Sequence, residues 1–228
     1  MSDITANQAP EATLEQSLNK TDMGHWLYEH RKSFLAAVAV VLVGTIGYVG
    51  WKQQQKNEMN RLSEQVAKFE TTTLADLKAK KIPAADFATK FKALDNKLQT
   101  TPSMVPVAVD SAATLRAMDE SKLAQDILKP MVSDNGLKAS SAAYMFVALN
   151  YAALAETNGE TDEAIRVLET YVSSGHKVFL TKAHLDLGRL YLLKKDNDRA
   201  KKNLDFIVND HPNDELAKLA RLYLQRLP

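Results

Sequence analysis

The chain contains no cysteine. That excludes a disulfide framework, a thiolate zinc site and a cysteine nucleophile. It also excludes attachment through an acylated cysteine, as in an outer-membrane lipoprotein. Glycine is scarce, at 8 of 228 residues, which disfavours a β-sandwich with its many turns. Net charge is only +1. Three Lys/Arg and five acids precede Lys52, leaving 26 basic against 23 acidic residues beyond. Without a basic excess there is no electrostatic footprint for nucleic acid, and no nucleic-acid partner is expected. Phosphate-binding, nucleophile-elbow and dinucleotide glycine motifs are all missing. The histidines His25, His30, His176, His184 and His211 show no ligand spacing. Asp162-Glu163 and Asp214-Glu215 sit at predicted helix starts, where carboxylates stabilise the dipole. No catalytic residue, metal or cofactor is therefore expected, and the chain reads as a binding protein rather than an enzyme.

Charge is also absent from Phe34 to Trp51, FLAAVAVVLVGTIGYVGW. At a rise of roughly 1.5 Å per residue, about 18–20 residues cross a hydrocarbon core about 30 Å thick. Tyr48 and Trp51 at one edge, and Trp26 and Tyr28 before the other, suit interfacial aromatic belts. The segment is read as a transmembrane helix in contact with the lipid bilayer. Two alternatives fit less well. A buried core helix would not normally carry so long an uncharged run, and a signal peptide would have a shorter leader than 33 residues and an A-x-A site. Lys20, Arg31 and Lys32 on one side balance Lys52, Lys56 and Arg61 on the other, so flanking charge does not fix orientation. Gly44, Gly47 and Gly50 read as ordinary glycine content of a membrane helix rather than a dimer motif.

Four regions follow. Residues 1–33 form a polar tail, its first part expected to be disordered, with Thr21 and Asp22 as candidate caps for a short amphipathic entry at His25–Glu29. Residues 34–51 are the span. Residues 52–100 form a juxtamembrane helical hairpin. Met59, Leu62, Val66 and Phe69 recur at helical spacing, Ile82-Pro83 breaks the helix, and Phe87, Phe91, Leu94 and Leu98 mark its partner. Residues 101–228 carry repeats.

The repeat signal is sharpest over Thr181–Asp214. Tyr191, Ala200, Leu204, Ile207 and Pro212 lie 3, 12, 16, 19 and 24 residues after Gly188. Small Gly188 and Ala200 suit a close crossing of two helices, and Pro212 ends the second. Asp196-Asn197-Asp198 supplies the turn and cap. Ala148, Tyr151, Ala164, Leu168 and Tyr171 repeat the scheme with a turn read as four residues longer. Ala112, Leu115, Ala124, Leu128 and Met131 repeat it again without an aromatic. Leu216, Leu219, Ala220, Tyr223, Leu224 and Leu227 mark a closing helix. These spacings resemble the tetratricopeptide repeat. The fold class expected is all-α: an N-terminal transmembrane helix, then a tetratricopeptide-like helical-hairpin solenoid with a C-terminal capping helix.

In such repeats the first helix of each pair lines a groove. In this register the lining includes Val109, Arg116, Met145, Leu149, Leu185 and Arg189, together with Ala113, Ala152, Lys182 and Leu192. Leu185 and Arg189 occupy slots where one class of these repeats grips a peptide carboxylate with Lys and Asn, so that clamp is absent. Two readings stand for Val109, Met145 and Leu185. They face a bound segment, or a neighbouring helix of the chain, such as the C-terminal one, covers them.

Tail, single span and repeat domain together resemble the bacterial inner-membrane proteins ancillary to the Sec translocon. That resemblance implies a cytoplasmic N-terminus, a periplasmic repeat domain, and a scaffold or chaperone-like role in protein export. It implies translocon components, periplasmic chaperones or nascent exported chains as partners. A structural subunit of another envelope assembly, in secretion, pilus or motility machinery, is the alternative.

Overall fold

The computed structural model describes Trp26 and residues 30–134, 136–175 and 177–227. Residues 1–25 of the tail, with the candidate caps Thr21 and Asp22, lie outside the described residues, as do Tyr28 and His176. Every regular element among the described residues is helical, with no strand. The chain divides into two compact units, Met1–Met59 and Asn60–Pro228.

The described part of the first unit is the beginning of one helix, α1 (Arg31–Phe69). It is long and apolar enough to cross a membrane, and its most apolar eighteen-residue stretch has no buried residue. A core helix of a soluble protein would be covered on at least one face. At the end of the apolar run the Tyr48 and Trp51 rings lie 6.3 Å apart, and the Lys52 ammonium sits 5.7 Å from the Tyr48 ring centroid. Added Cβ atoms at Gly44, Gly47 and Gly50 would meet nothing within 4 Å.

The second unit opens where α1 acquires a buried stripe, at Leu62, Val66 and Phe69. Met59, one step earlier in the same period, is exposed. An α-helical period continues from Phe69 to Thr73, but the next large apolar residue is Leu74. A π-helical turn over Glu70–Leu74 absorbs the extra residue, so Phe69 and Leu74 are both buried. Thr71 and Thr72 hydroxyls donate to the carbonyls of Ala67 and Lys68 in the preceding turn. The helix then runs on as α2 (Ala75–Lys78) and stops before Pro83, as expected from Ile82-Pro83.

Helix α3 (Ala84–Lys92) packs Phe87 and Phe91 against Phe69, with ring centroids 5.7 and 5.8 Å away. The expectation of one helix through Leu98 is corrected by the structure. Asp95 accepts a hydrogen bond from the Lys97 amide and starts a separate short helix, α4 (Asn96–Gln99). Buried Gln99 donates its side-chain amide to the Phe91 and Leu94 carbonyls and seals the junction.

Six longer helices follow as three hairpins: α5 (Val105–Ala117) with α6 (Ser121–Val132), α7 (Ala142–Thr157) with α8 (Thr161–Ser173), and α9 (Leu180–Leu193) with α10 (Asn197–Asp210). Each hairpin turns through three residues, the middle one left-handed: Asp119 at φ 64°, Gly159 at 78° and Lys195 at 60°. In each, the amide after that residue donates to a carbonyl five residues back: Glu120 to Leu115, Glu160 to Ala155 and Asp196 to Tyr191. Lys80 repeats the geometry after α2 at φ 56°, with Lys81 donating to Asp76.

Measured from the left-handed residue, Ala124, Ala164 and Ala200 take one slot and Leu128, Leu168 and Leu204 another, all buried at 0–1% exposure. The register fails in the juxtamembrane hairpin of α2 and α3, where Ala85 in the alanine slot is exposed. It also corrects one expectation. The turn after α7 is no longer than the others; α7 itself is longer, and Ala152 holds the slot that Gly188 holds in α9. A four-residue shift is about one helical turn, which is why Ala148 and Tyr151 also fit the spacing. The close crossing is real at Gly188, where an added Cβ would stand 2.7 Å from Leu204 Cγ.

Helix α11 (Leu216–Leu224) closes the unit by packing on α9 and α10. Its buried face is narrower than expected. Ala217 and Ala220 are fully buried, Leu216, Tyr223 and Leu224 are half-buried, and Leu219 points outward.

Candidate binding cleft

Helices α7 and α9 contribute the first helix of successive hairpins, and α11 begins beside the start of α9. Two hollows open there. The inner one, about 230 Å³, is lined by Leu149, Ala152, Glu156, Lys182, Arg189 and Leu190, among others. The outer one, about 720 Å³, is lined mainly by Leu149, Phe179, Lys182, Asp214, Glu215 and Leu216. Both share Leu149 and Lys182, so they form one cleft.

Local chemistry positions each wall. Ser141 caps α7 by accepting from the Tyr144 amide at 3.2 Å. Asp214 accepts from the Leu216 amide and from the Thr181 hydroxyl, both at 2.8 Å, and so ties the start of α9 to the start of α11. Those two hydrogen bonds hold the Asp214 carboxyl below the usual carboxylate range. Phe179 precedes α9 in the left-handed region, at φ 53°, a conformation that is strained for a bulky side chain. The residue remains 53% exposed.

The cleft's cations are already paired. Arg189 forks onto both Glu156 oxygens, one contact at 2.6 Å, and reaches Asp186 at 3.8 Å. Lys182 pairs with Asp186 at 2.5 Å. The fork lowers the pKa of Glu156 and raises that of Arg189.

Of the six residues expected to line a groove, the structure brings Leu149 and Arg189 together, with Ala152 and Lys182 beside them. Met145 is buried in the main core, and Leu185 is buried among Leu204, Ile207, Ala217 and Ala220. Neither presents a surface to a partner, and for Leu185 the cover includes the C-terminal helix. Val109 is half-buried against the main core, and Arg116 is exposed on α5, outside the cleft. Glu156, Asp186, Phe179 and Leu216 were not anticipated. The Glu156–Arg189 pair had no periodic signal, since its 33-residue separation falls short of the 36 residues between the equivalent slots Ala152 and Gly188. Phe179 had none, because its exposure follows from backbone dihedrals that the sequence does not announce.

Behind the cleft, buried Gln125 donates to Glu160 at 2.6 Å and accepts from Asn158 at 2.7 Å, while the Tyr151 hydroxyl donates to Glu163 at 3.1 Å. Burial, chiefly, pushes the Tyr151 hydroxyl up to about 12. It is a neutral donor that joins α6, α7 and α8. No three acidic or histidine side chains converge on a cation position among the described residues. No family model, curated protein or solved structure matches this chain.

Proposed function

We propose that this protein is a membrane-anchored, protein-binding scaffold of the tetratricopeptide type, with a chaperone-like role beside the protein-export machinery of a bacterial inner membrane. The observation that carries the proposal is the pairing of two features in one chain: an apolar helix with no buried residue in its span, and hairpins in one register that leave a cleft open between α7, α9 and α11. Hairpin arrays of this kind present surfaces for segments of other proteins. Tethering raises the effective concentration of such a surface for chains emerging at the membrane without any added contact. The N-terminus is placed in the cytoplasm and the hairpin domain in the periplasm, following the resemblance to the translocon-associated proteins.

Two measurements test this. A C-terminal alkaline phosphatase fusion is expected to be active, and an inactive one reverses the topology. A photoreactive residue at Leu149 in growing cells is expected to crosslink translocon subunits, periplasmic chaperones or nascent exported chains. Crosslinks confined to components of a secretion, pilus or motility machine would instead establish the structural-subunit alternative. No protein crosslink at all would overturn both.

A further inference from the structure

We propose that the outer hollow of the cleft receives a segment of another protein in which a large apolar residue adjoins lysine or arginine. This deepens the protein-binding reading and rests on it. The sequence register places two cations, Lys182 and Arg189, in an otherwise mainly apolar lining. The structure pairs both with acids. Arg189 is consumed by Glu156, and Lys182 by Asp186. What remains is acidic. Among the described residues Asp214 takes its hydrogen bonds from neutral donors, the Leu216 amide and the Thr181 hydroxyl, with His211 the basic group near it, and Glu215 beside it is exposed on the same wall. The hollow therefore carries two carboxylates, Asp214 and Glu215, at one rim against one lining cation, Lys182, which is itself paired with Asp186.

The rest of the wall is apolar. Leu149, Phe179 and Leu216 face a volume of about 720 Å³, within the range in which proteins hold ligand groups, about 300–1,000 Å³. Phe179 is displayed there by construction. The Tyr171 hydroxyl donates to the Val178 carbonyl, and Thr181 is tied to Asp214, so the chain is pinned immediately before and after the ring. A bulky residue in the left-handed region, fixed on both sides and still exposed, is the kind of backbone outlier that accompanies binding surfaces. An acidic segment would place like charges against Asp214 and Glu215. A segment without apolar residues would leave Phe179 in water. A basic–apolar segment satisfies both walls, with the charges steering the encounter and the aromatic anchoring it.

The test uses the full chain in nanodiscs of zwitterionic lipid, with empty nanodiscs as the blank, and fluorescence anisotropy of labelled peptides. The probes are a repeating Leu-Lys-Phe-Lys peptide, its Leu-Glu-Phe-Glu counterpart, and Ser-Lys-Ser-Lys. The first is expected to bind about tenfold more tightly than either of the others at moderate salt. Phe179→Ser and Glu215→Lys are each expected to weaken it about fivefold or more. Leu193→Ser, at an exposed apolar site outside the cleft, is expected to leave it unchanged. Glu215 is a surface position, so Glu215→Lys remains decisive if Phe179→Ser impairs folding. Equal binding of the lysine and glutamate peptides, no binding by either, or full retention in Glu215→Lys overturns the proposal. Crosslinks from Leu149 in cells, combined with any of those outcomes, would leave the protein-binding reading standing and remove only this specificity.

Discussion

Gly188 on α9 lies so close to Leu204 on α10 that a Cβ added to the glycine would stand 2.7 Å from both Cγ and Cδ2 of the leucine. No real pair of non-bonded carbon atoms holds that separation, so any larger residue must displace the Leu204 side chain or push the hairpin apart. Gly188→Leu is expected to destabilise the domain by about 1–3 kcal/mol or more. Gly188→Ala should cost less, and in combination with Leu204→Ala it should cost less than the sum of the two single changes, because the second removes the atoms that the first strikes. Denaturant unfolding of the four proteins measures this. Strict additivity would place the cost of the glycine substitution elsewhere.

Gly136, after α6, is subject to a harder constraint. A Cβ there would meet the Met131 carbonyl oxygen at 2.4 Å and that of Pro130 at 2.5 Å, and backbone yields less readily than a leucine side chain. The Gly136 amide donates to Ser133 and the Leu137 amide to Met131, so the chain folds back tightly over the helix end. Gly136→Ala is expected to cost about 1–3 kcal/mol, and the same change at Gly159, whose Cβ would meet nothing within 4 Å, should cost only the strain of φ 78°. Thermal unfolding of the two variants ranks them, and a Gly136→Ala protein as stable as the parent would contradict the geometry.

The contrast between these glycines shows what a sequence can disclose. Gly188 is legible because it falls in a spacing shared with Tyr191, Ala200, Leu204 and Ile207, and small residues at a fixed period mark a repeated close crossing of helices. Gly136 lies in an irregular segment between α6 and α7, where no period applies. Likewise the apolar run of α1 and the buried stripe at Leu62, Val66 and Phe69 follow from composition and period. The π turn at Glu70–Leu74 breaks that period and is visible only in the backbone. Met145 and Leu185 fall in the groove register yet are buried. A helix that faces a cleft on one side and a neighbour on the other has apolar residues on both, and spacing alone does not tell which side is covered.

Arg189 and Glu156 join α9 to α7 across the cleft floor, their side chains 31% and 27% exposed. A forked guanidinium–carboxylate contact of this kind couples more strongly than a surface lysine pair. The double-mutant cycle of Arg189→Ala and Glu156→Ala is expected to give a coupling of about 1 kcal/mol that weakens with salt. Arg189→Lys, which keeps the charge but not the fork, should recover only part of it. The Arg189 fork holds the Glu156 carboxyl below its ordinary value of 4.5. Its share of stability is therefore complete above pH about 4.5 and is lost as pH falls through the folded value. A cycle that returned no coupling at low salt would make the pair incidental.

At somewhat higher pH a different group governs. The His184 ring lies 3.9 Å from the Phe206 ring, and its Nδ1 is 2.8 Å from Asn203 Oδ1. Burial, chiefly, lowers its pKa from 6.5, with neighbouring His211 adding to the effect while Asn203 and Asp210 oppose it. The folded protein then binds that proton less readily than the unfolded chain. Stability from this group is full above pH about 6.5 and declines as pH falls toward the folded value. The depressed carboxylates, Glu156, Glu160, Glu163, Asp196 and Asp214, start from ordinary values of 4.5 and below and act later in an acid titration. Between about pH 6.5 and 5 the melting temperature of the parent protein should therefore fall, while that of His184→Phe, which keeps a ring on Phe206 but cannot be protonated, should stay flatter. Equal slopes in the two proteins would show that the imidazole does not control this window.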